Sequence, residues 1–190
     1  FRGAEVVAPS ALSYKTGDMT VRVAHYQHGD LLQGGTTIEG QFENLIDMRE
    51  KPLACLTAAG RAIRNSPGIL SDLSSVLADA DINVDAVASG MDSVSFYVDE
   101  GVAERAENVL HQAVIDLEEL SSVTVDDDIA VIRITGGELP NQSGILQEII
   151  APIAAEHINI QDLITSATSI AVFLDWDDRE RALEIIQDAV

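Results

Sequence analysis

The chain has 190 residues, 46% of them hydrophobic, with 32 acidic against 11 basic residues and a formal net charge of -21. That is enough apolar sequence to pack one to three small domains, while eleven scattered cations exclude a basic surface for nucleic acid or for an anionic membrane. A single cysteine, Cys55, excludes a disulfide framework and a cysteine-based metal site within the chain.

The acidic excess is rich in Asp, and nine arginines stand against two lysines, Lys15 and Lys51. With few aromatics, this composition suits a protein kept soluble at very high salt, where charge repulsion is screened. No apolar stretch reaches transmembrane length and the N-terminus does not read as a signal peptide, so a cytoplasmic protein is expected. The chain opens at Phe1 without a Met, which suggests a fragment.

In chain order, residues 3–12 read as a short helix or loop broken by Pro9, residues 19–26 alternate as a strand, and residues 29–40 are a Gly-rich loop with a short strand. Forty residues cannot build a core of their own, so this segment is read as the tail of a larger upstream domain, residues 1–42. His25 and His28 stand three apart beside Asp30, a spacing that does not converge on a strand or loop, and no metal site is expected. Residues 45–48 form a candidate strand within a connecting piece, residues 43–49. Residues 53–57 are a strand carrying Cys55 as a core thiol. After the turn Asn65-Ser66-Pro67-Gly68, Ile69, Leu70, Leu73, Val76 and Leu77 recur at helical spacing. Residues 82–88 and 93–98 are strands, residues 102–114 a helix, and residues 123–125 a short strand. The three aspartates at 126–128 are expected at a solvent-facing hairpin tip. Residues 129–135 are a strand, and a second turn holds Asn141, Ser143 and Gly144. The helix that follows carries Ile145, Leu146, Ile149, Ile150 and Ile153, with Pro152 expected to bend it. Residues 158–164 and 169–174 are strands, and residues 178–190 a final helix.

The second half repeats the first. Gly68 meets Gly144, Asn83 meets Asn159 and Asp99 meets Asp175, each 76 positions apart, and the register holds without a gap from 53–114 onto 129–190. Each copy reads β-α-β-β-α, a ferredoxin-like unit short of its last strand. Residues 123–125 supply that strand for the first copy. The economical source for the second is residues 45–48, which makes the units interleaved; swapping the two assignments remains open. The fold class is therefore α+β, two ferredoxin-like (βαββαβ) units, the first over 50–125 and the second over 126–190.

No nucleophile elbow, P-loop or dinucleotide fingerprint is present, so no catalytic residues are assigned. The ligand argument rests on the first turn. Free amides at a helix start and the side chains of Asn65 and Ser66 suit a carboxylate, and Gly68 permits close approach of a ligand or neighbouring strand. Alternation places Asn83 and Asp85 opposite Ile82 and Val84, and Asp85 suits an ammonium. Together these would offer an anion site and a cation site a few ångströms apart, the pair that a free α-amino acid requires. Plain N-capping is the alternative reading of the turn. In the second copy Gln161 replaces Asp85, which makes the first copy the better site.

These residues resemble the ACT domain, through Pro67-Gly68-Ile69-Leu70, Asp81-Ile82-Asn83-Val84-Asp85 and residues 93–99, and again through Gly144-Ile145-Leu146 and His157-Ile158-Asn159-Ile160. Two such domains in tandem, after "GAEVVAPSAL" and "MTVRVAHY", resemble the regulatory region of the aspartokinase family joined to the end of its kinase domain. The resemblance implies an enzyme that transfers the γ-phosphoryl group of ATP to L-aspartate, with ATP and Mg2+ bound by an upstream part absent here and no cofactor in this chain. It implies a homodimer paired through its ACT domains, with free lysine or threonine bound at that interface. Carried over by position, the effector-site candidates are Ile63, Asn65, Ser66, Gly68, Ile69, Leu70, Asn83, Asp85 and Ser89. The second-copy candidates are Asn141, Ser143, Gly144, Asn159 and Gln161. Gly90-Met91-Asp92 and Ser143 depart from the family pattern. A stand-alone amino acid-binding ACT protein and a ligand-free dimerisation module are the alternatives.

Overall fold

The computed structural model describes residues 20–23, 36–38, 45–61, 63–136, 143–166 and 168–190. The expected element at 3–12, the histidine pair His25 and His28, and Asn141 lie outside them. Two short strands, β1 (Val21–Val23) and β2 (Thr36–Ile38), pair antiparallel. The remaining elements are β3 (Leu45–Met48), β4 (Leu53–Ala59), α1 (Ile69–Asp79), β5 (Ala86–Ser89), β6 (Ser93–Asp99), α2 (Ala103–Asp116), β7 (Ser122–Thr135), α3 (Ile145–Ala155), β8 (Ile160–Thr165), β9 (Ser169–Asp175) and α4 (Arg179–Ala189).

Seven strands form one sheet in the order β5-β6-β4-β7-β9-β8, with β3 also paired to β7. β7 is the hinge of this arrangement. Its first half pairs with β4, from Ala59↔Ser122 to Cys55↔Asp126, and its second half pairs with β9 on one side and β3 on the other. Leu45–Met48 thus lies beside the second copy, antiparallel to residues 132–135. The expectation of two separate strands with an aspartate hairpin tip between them is corrected: residues 122–135 are one strand. The aspartates sit at an irregularity where Leu53↔Ile129 is followed by Cys55↔Asp126, so β7 carries an extra residue there, and Asp128 has φ 57°. A bulge of this kind bends a strand and sharpens its twist.

Each copy buries one helical stripe against its own strands. Ile69, Leu73 and Leu77 of α1 and Ala103, Ala106, Leu110 and Ala113 of α2 pack on Ala54, Leu56, Val94, Phe96 and Val98. Ile145, Ile149 and Ile153 of α3 and Ala182 and Ile186 of α4 pack on Ala130, Ile132, Ile134, Val172 and Leu174. The i, i+4 spacing of isoleucine and leucine dictates this, since such residues stack on one helix face. α3 is assigned unbroken through Pro152. Both α1 and α3 end in the same Schellman turn. Ile82 N donates to Leu77 O at 3.0 Å and Ile158 N to Ile153 O at 3.2 Å, with Asp81 (φ 54°) and His157 (φ 60°) in the left-handed region.

The opposite sheet face is apolar too. Leu53 and Tyr97 from the first copy join Ile129, Val131 and Phe173 from the second in a third buried cluster, flanked by Cys55, Ala86, Ala88, Ile164 and Ala171. β6 and β9 are separated by β4 and β7 in the sheet order, yet Tyr97 touches Phe173. In a flat sheet, strands three steps apart are roughly 14 Å from each other. The sheet therefore folds over at β7, and the helix-free faces of the two copies pack together. The layers run helices, sheet, sheet, helices.

Candidate functional site

The first-copy turn is built as a helix entrance. A single 3-10 turn spans Ile63–Asn65, Gly68 takes φ 104°, and α1 begins at Ile69 with no side-chain cap. Asp72 N donates to Gly68 O at 2.9 Å, so the amides of Ile69, Leu70 and Ser71 precede the first intrahelical bond and find no protein acceptor among the described residues. Asn65, Gly68 and Leu70 are exposed, and Ile63 and Ser66 are half-buried. Ile69 is different: its side chain is a core residue at 4% exposure, so only its backbone faces the turn. Asp72 brings a carboxylate into the same first turn, where it complements the helix dipole and competes with an anionic ligand. The second copy repeats the entrance, with Gly144 at φ 94°, exposed Ser143, and Glu148 in the first turn.

The expected meeting of anion and cation sites does not occur within the chain. Asp85 N donates to Tyr97 O, and Ala86 and Cys55 both pair with Tyr97, so Asp85 lies level with the entry of β4. The Gly68 turn lies beyond the exit of β4. Eleven-residue α1 runs between these ends, a rise of about 16 Å. Ser89 closes β5 at the same end as the turn, and Asn83 is exposed near Asp85. Residues 82–85 are not strand, although they keep the expected alternation of buried and exposed positions. Asp85 is also engaged. Arg49, just after β3, binds Asp85 at 3.1 Å and Asp99 at 3.2 Å, all three side chains being partly exposed. Gln161 and Asn159 are exposed, and Gln161 sits at the β8 irregularity between Ile160↔Leu174 and Asp162↔Phe173.

That irregularity turns Asp162 toward the first copy. Tyr97 Oη donates to Asp162 Oδ2 at 3.0 Å, and Leu163 N donates to Asp162 Oδ1 at 2.7 Å. Burial first, then the neighbouring Cys55 and the bond to Asp162, hold the Tyr97 hydroxyl well above the ordinary tyrosine range. Beside it, Thr57 and Ser95 share a hydroxyl bond of 2.8 Å.

On the other flank of the packed faces, a cleft opens between the copies. Its smaller part, about 190 Å3, is lined by Asp47, Arg49, Asp85 and Arg133 over Val131 and Phe173. The larger part, about 390 Å3, continues past Arg133 to Thr135, Ser166 and Ser169, over Ile164 and Ala171. Of the residues singled out from sequence, only Asp85 lines this region. The other signal is that β6 and β9 are apolar at consecutive positions, as in strands buried on both faces. No group of three or more His, Cys, Asp or Glu among the described residues is placed to hold a metal ion. No helix among them is long and apolar enough to cross a membrane.

Two family models described as "ACT domain" match residues 56–114 and 124–188, together about two thirds of the chain. Among curated proteins, the aspartokinase of Corynebacterium glutamicum is 25% identical over 170 residues, 81% of this chain and 39% of that protein. The aspartate kinase FUB3 of Fusarium oxysporum f. sp. lycopersici is 27% identical over 125 residues, 65% of this chain and 23% of that protein. The chain thus spans well under half the length of these relatives. Among solved structures, the aspartate kinase of Clostridium acetobutylicum superposes with TM-score 0.70 at 18% identity, over 76% of this chain and 34% of that one. The ligand-free regulatory subunit of aspartate kinase from Thermus thermophilus gives TM-score 0.67 at 23% identity, over 76% of this chain and 95% of that one. The chain is an ACT-domain protein that carries two ACT domains in tandem, with the fold of aspartokinase regulatory regions.

Proposed function

We propose that this chain is the allosteric, amino acid-sensing region of an aspartokinase whose full-length form transfers the γ-phosphoryl group of ATP to L-aspartate, giving 4-phospho-L-aspartate. The observation that carries this reading is the tandem itself: two ACT matches within one chain whose curated relatives are aspartokinases. ATP and Mg2+ belong to the upstream kinase domain, of which residues 1–42 are the end. The strand order 2-3-1-4 in each copy supports two ferredoxin-like units, the first over 50–125 and the second over 126–190, completed by residues 43–49. The protein is cytoplasmic and works at high salt, as its charge suggests.

The effector is free lysine or threonine, bound where two chains of a homodimer meet. A dimer supplies what one chain lacks, because the Gly68 turn of one protomer can face the Asp85 end of its partner. The free amides of Ile69 and Leu70 take the carboxylate. Asp85 takes an ammonium in competition with Arg49, so effector binding would loosen the Arg49 bridge that ties β3 to the first copy. That is a route from effector to domain orientation, and coupling of this kind is reciprocal.

The test is calorimetric titration of the chain with lysine and with threonine, separately, in multimolar KCl. Saturable heat with one amino acid is expected, weakened more by Asp85→Ala than by Gln161→Ala. Equal losses would overturn the assignment of the primary site. No heat with either, in the chain and in the full-length enzyme, would leave a ligand-free dimerisation module.

A further inference from the structure

We propose that the cleft between the two ACT units of one chain is a separate ligand site, which takes a small carboxylic acid with an apolar side chain. Arg133 carries the argument. It lies on the helix-free face of β7, directly opposite Asp47 on β3 and Ala171 on β9. It makes no ion pair and no hydrogen bond among the described residues, although the chain has 32 carboxylates and its cross-strand neighbour is one of them. Arg49, a few residues from that neighbour, is saturated by Asp85 and Asp99. Arg133 instead lines both parts of the cleft.

Asp85 lines both parts of the cleft and Asp47 the smaller one, but the other surroundings suit a carboxylate with a hydrocarbon tail. Thr135 follows two residues later on the same face and pairs with Ser169, so hydroxyls flank the guanidinium on one side. Ile164, Ala171 and Phe173 form an apolar floor. A volume of about 390 Å3 lies within the range of small-molecule sites. Planar, two-pronged pairing with a carboxylate is what a guanidinium does best. One wall, Ala86 and Val87, belongs to the first unit, and the floor belongs to the second. An occupant therefore bridges the units within one chain. The site is distinct from the Gly68 turn, although Asp85 lines it too, and it does not depend on the aspartokinase reading.

The probe is 4-methylpentanoate, with its neutral amide as control, titrated into the whole chain by calorimetry and by amide chemical shifts. Saturable binding of the carboxylate is expected, with shifts confined to residues 85–87, 131–135 and 164–173 and no binding of the amide. Arg133→Gln should weaken binding about tenfold or more, as loss of a charged hydrogen bond does. Ala171→Leu, which fills the floor and leaves the charge in place, should abolish binding, and Gly68→Ala should leave it unchanged. Absence of saturation in the parent chain, equal binding of the amide, or undiminished binding by a folded Arg133→Gln or Ala171→Leu chain would each overturn the proposal.

Discussion

Tyr97 and Phe173 occupy the same position in the two repeats, 76 residues apart, and they stack on each other with ring centroids 4.1 Å apart and planes inclined by 31°. Leu53 and Ile129, also 76 apart, are direct partners across β4 and β7. Equivalent residues that touch each other lie on a two-fold axis, so the repeat in sequence becomes an approximate two-fold in space. The axis passes through the third buried cluster. Interleaving follows naturally, since residues 45–59 and 122–135 run antiparallel and each serves both units.

Phe173→Ala removes a side chain that is 1% exposed from the contact between units. A loss of about 3–5 kcal/mol is expected from the cavity. A double-mutant cycle with Tyr97→Ala should give a coupling of about 0.5–1.5 kcal/mol beyond the area lost. Denaturant melts of the four chains measure it, and strictly additive losses would mean that the rings do not meet in solution.

The raised Tyr97 hydroxyl makes the fold sensitive to alkali. The unfolded tyrosine loses its proton near pH 10, whereas the folded one keeps it. Above that pH the native state binds the extra proton, so stability falls as pH rises, by about 1.4 kcal/mol per pH unit, and is fully present below it. Tyr97→Phe should flatten this alkaline decline while costing about 1 kcal/mol at neutral pH for the lost bond to Asp162. An ultraviolet titration of the three tyrosines should show one that ionises only with unfolding, absent in Tyr97→Phe.

Arg49→Met breaks the bridge to Asp85 and Asp99. The three side chains are 29–40% exposed, so solvent screens the pairs and the expected cost is about 1 kcal/mol in dilute buffer. It should shrink in molar KCl. Urea midpoints at the two salt concentrations check this, and a cost that grows with salt would point to packing instead of charge.

Gly68→Ala and Gly144→Ala place a side chain at φ 104° and 94°. At Gly68 the nearest contact is Asp72 Oδ2 at 4.0 Å, and at Gly144 nothing lies within 4 Å. The cost is therefore backbone strain alone, about 1–2 kcal/mol each. The two losses should be similar and additive in thermal melts. A much larger loss at Gly68 would reveal a neighbour, such as a dimer partner, packed on that turn.

Local pattern explains what was legible early. The 76-residue register, the helical spacing of Ile69, Leu73 and Leu77 and its echo in Ile145, Ile149 and Ile153, and the glycine at each helix entrance are properties of short segments. Periodicity and turn chemistry act over a few residues, so a sequence states them directly. Strand counting also favoured Leu45–Met48 as the partner of the second copy, because an unfinished sheet needs a partner and this candidate lies just before the repeat.

Other features depend on contacts between residues far apart in the chain. Arg49 meets Asp85 across 36 positions and Asp99 across 50, and Tyr97 meets Asp162 across 65. The run of aspartates at 126–128 reads as a loop until β4 is laid against it, and then it is the bulge on which the sheet turns. Composition and spacing alone determined two α+β repeats with glycine-led helices and an acidic surface. Tertiary structure alone decided that the helix-free faces close on each other, that Asp85 and Gly68 stand at opposite ends of a helix, and that Arg133 is left open in a cleft. The reason is physical: a strand's pattern shows which faces are apolar, but the partner of an apolar face is chosen by the bend of the sheet.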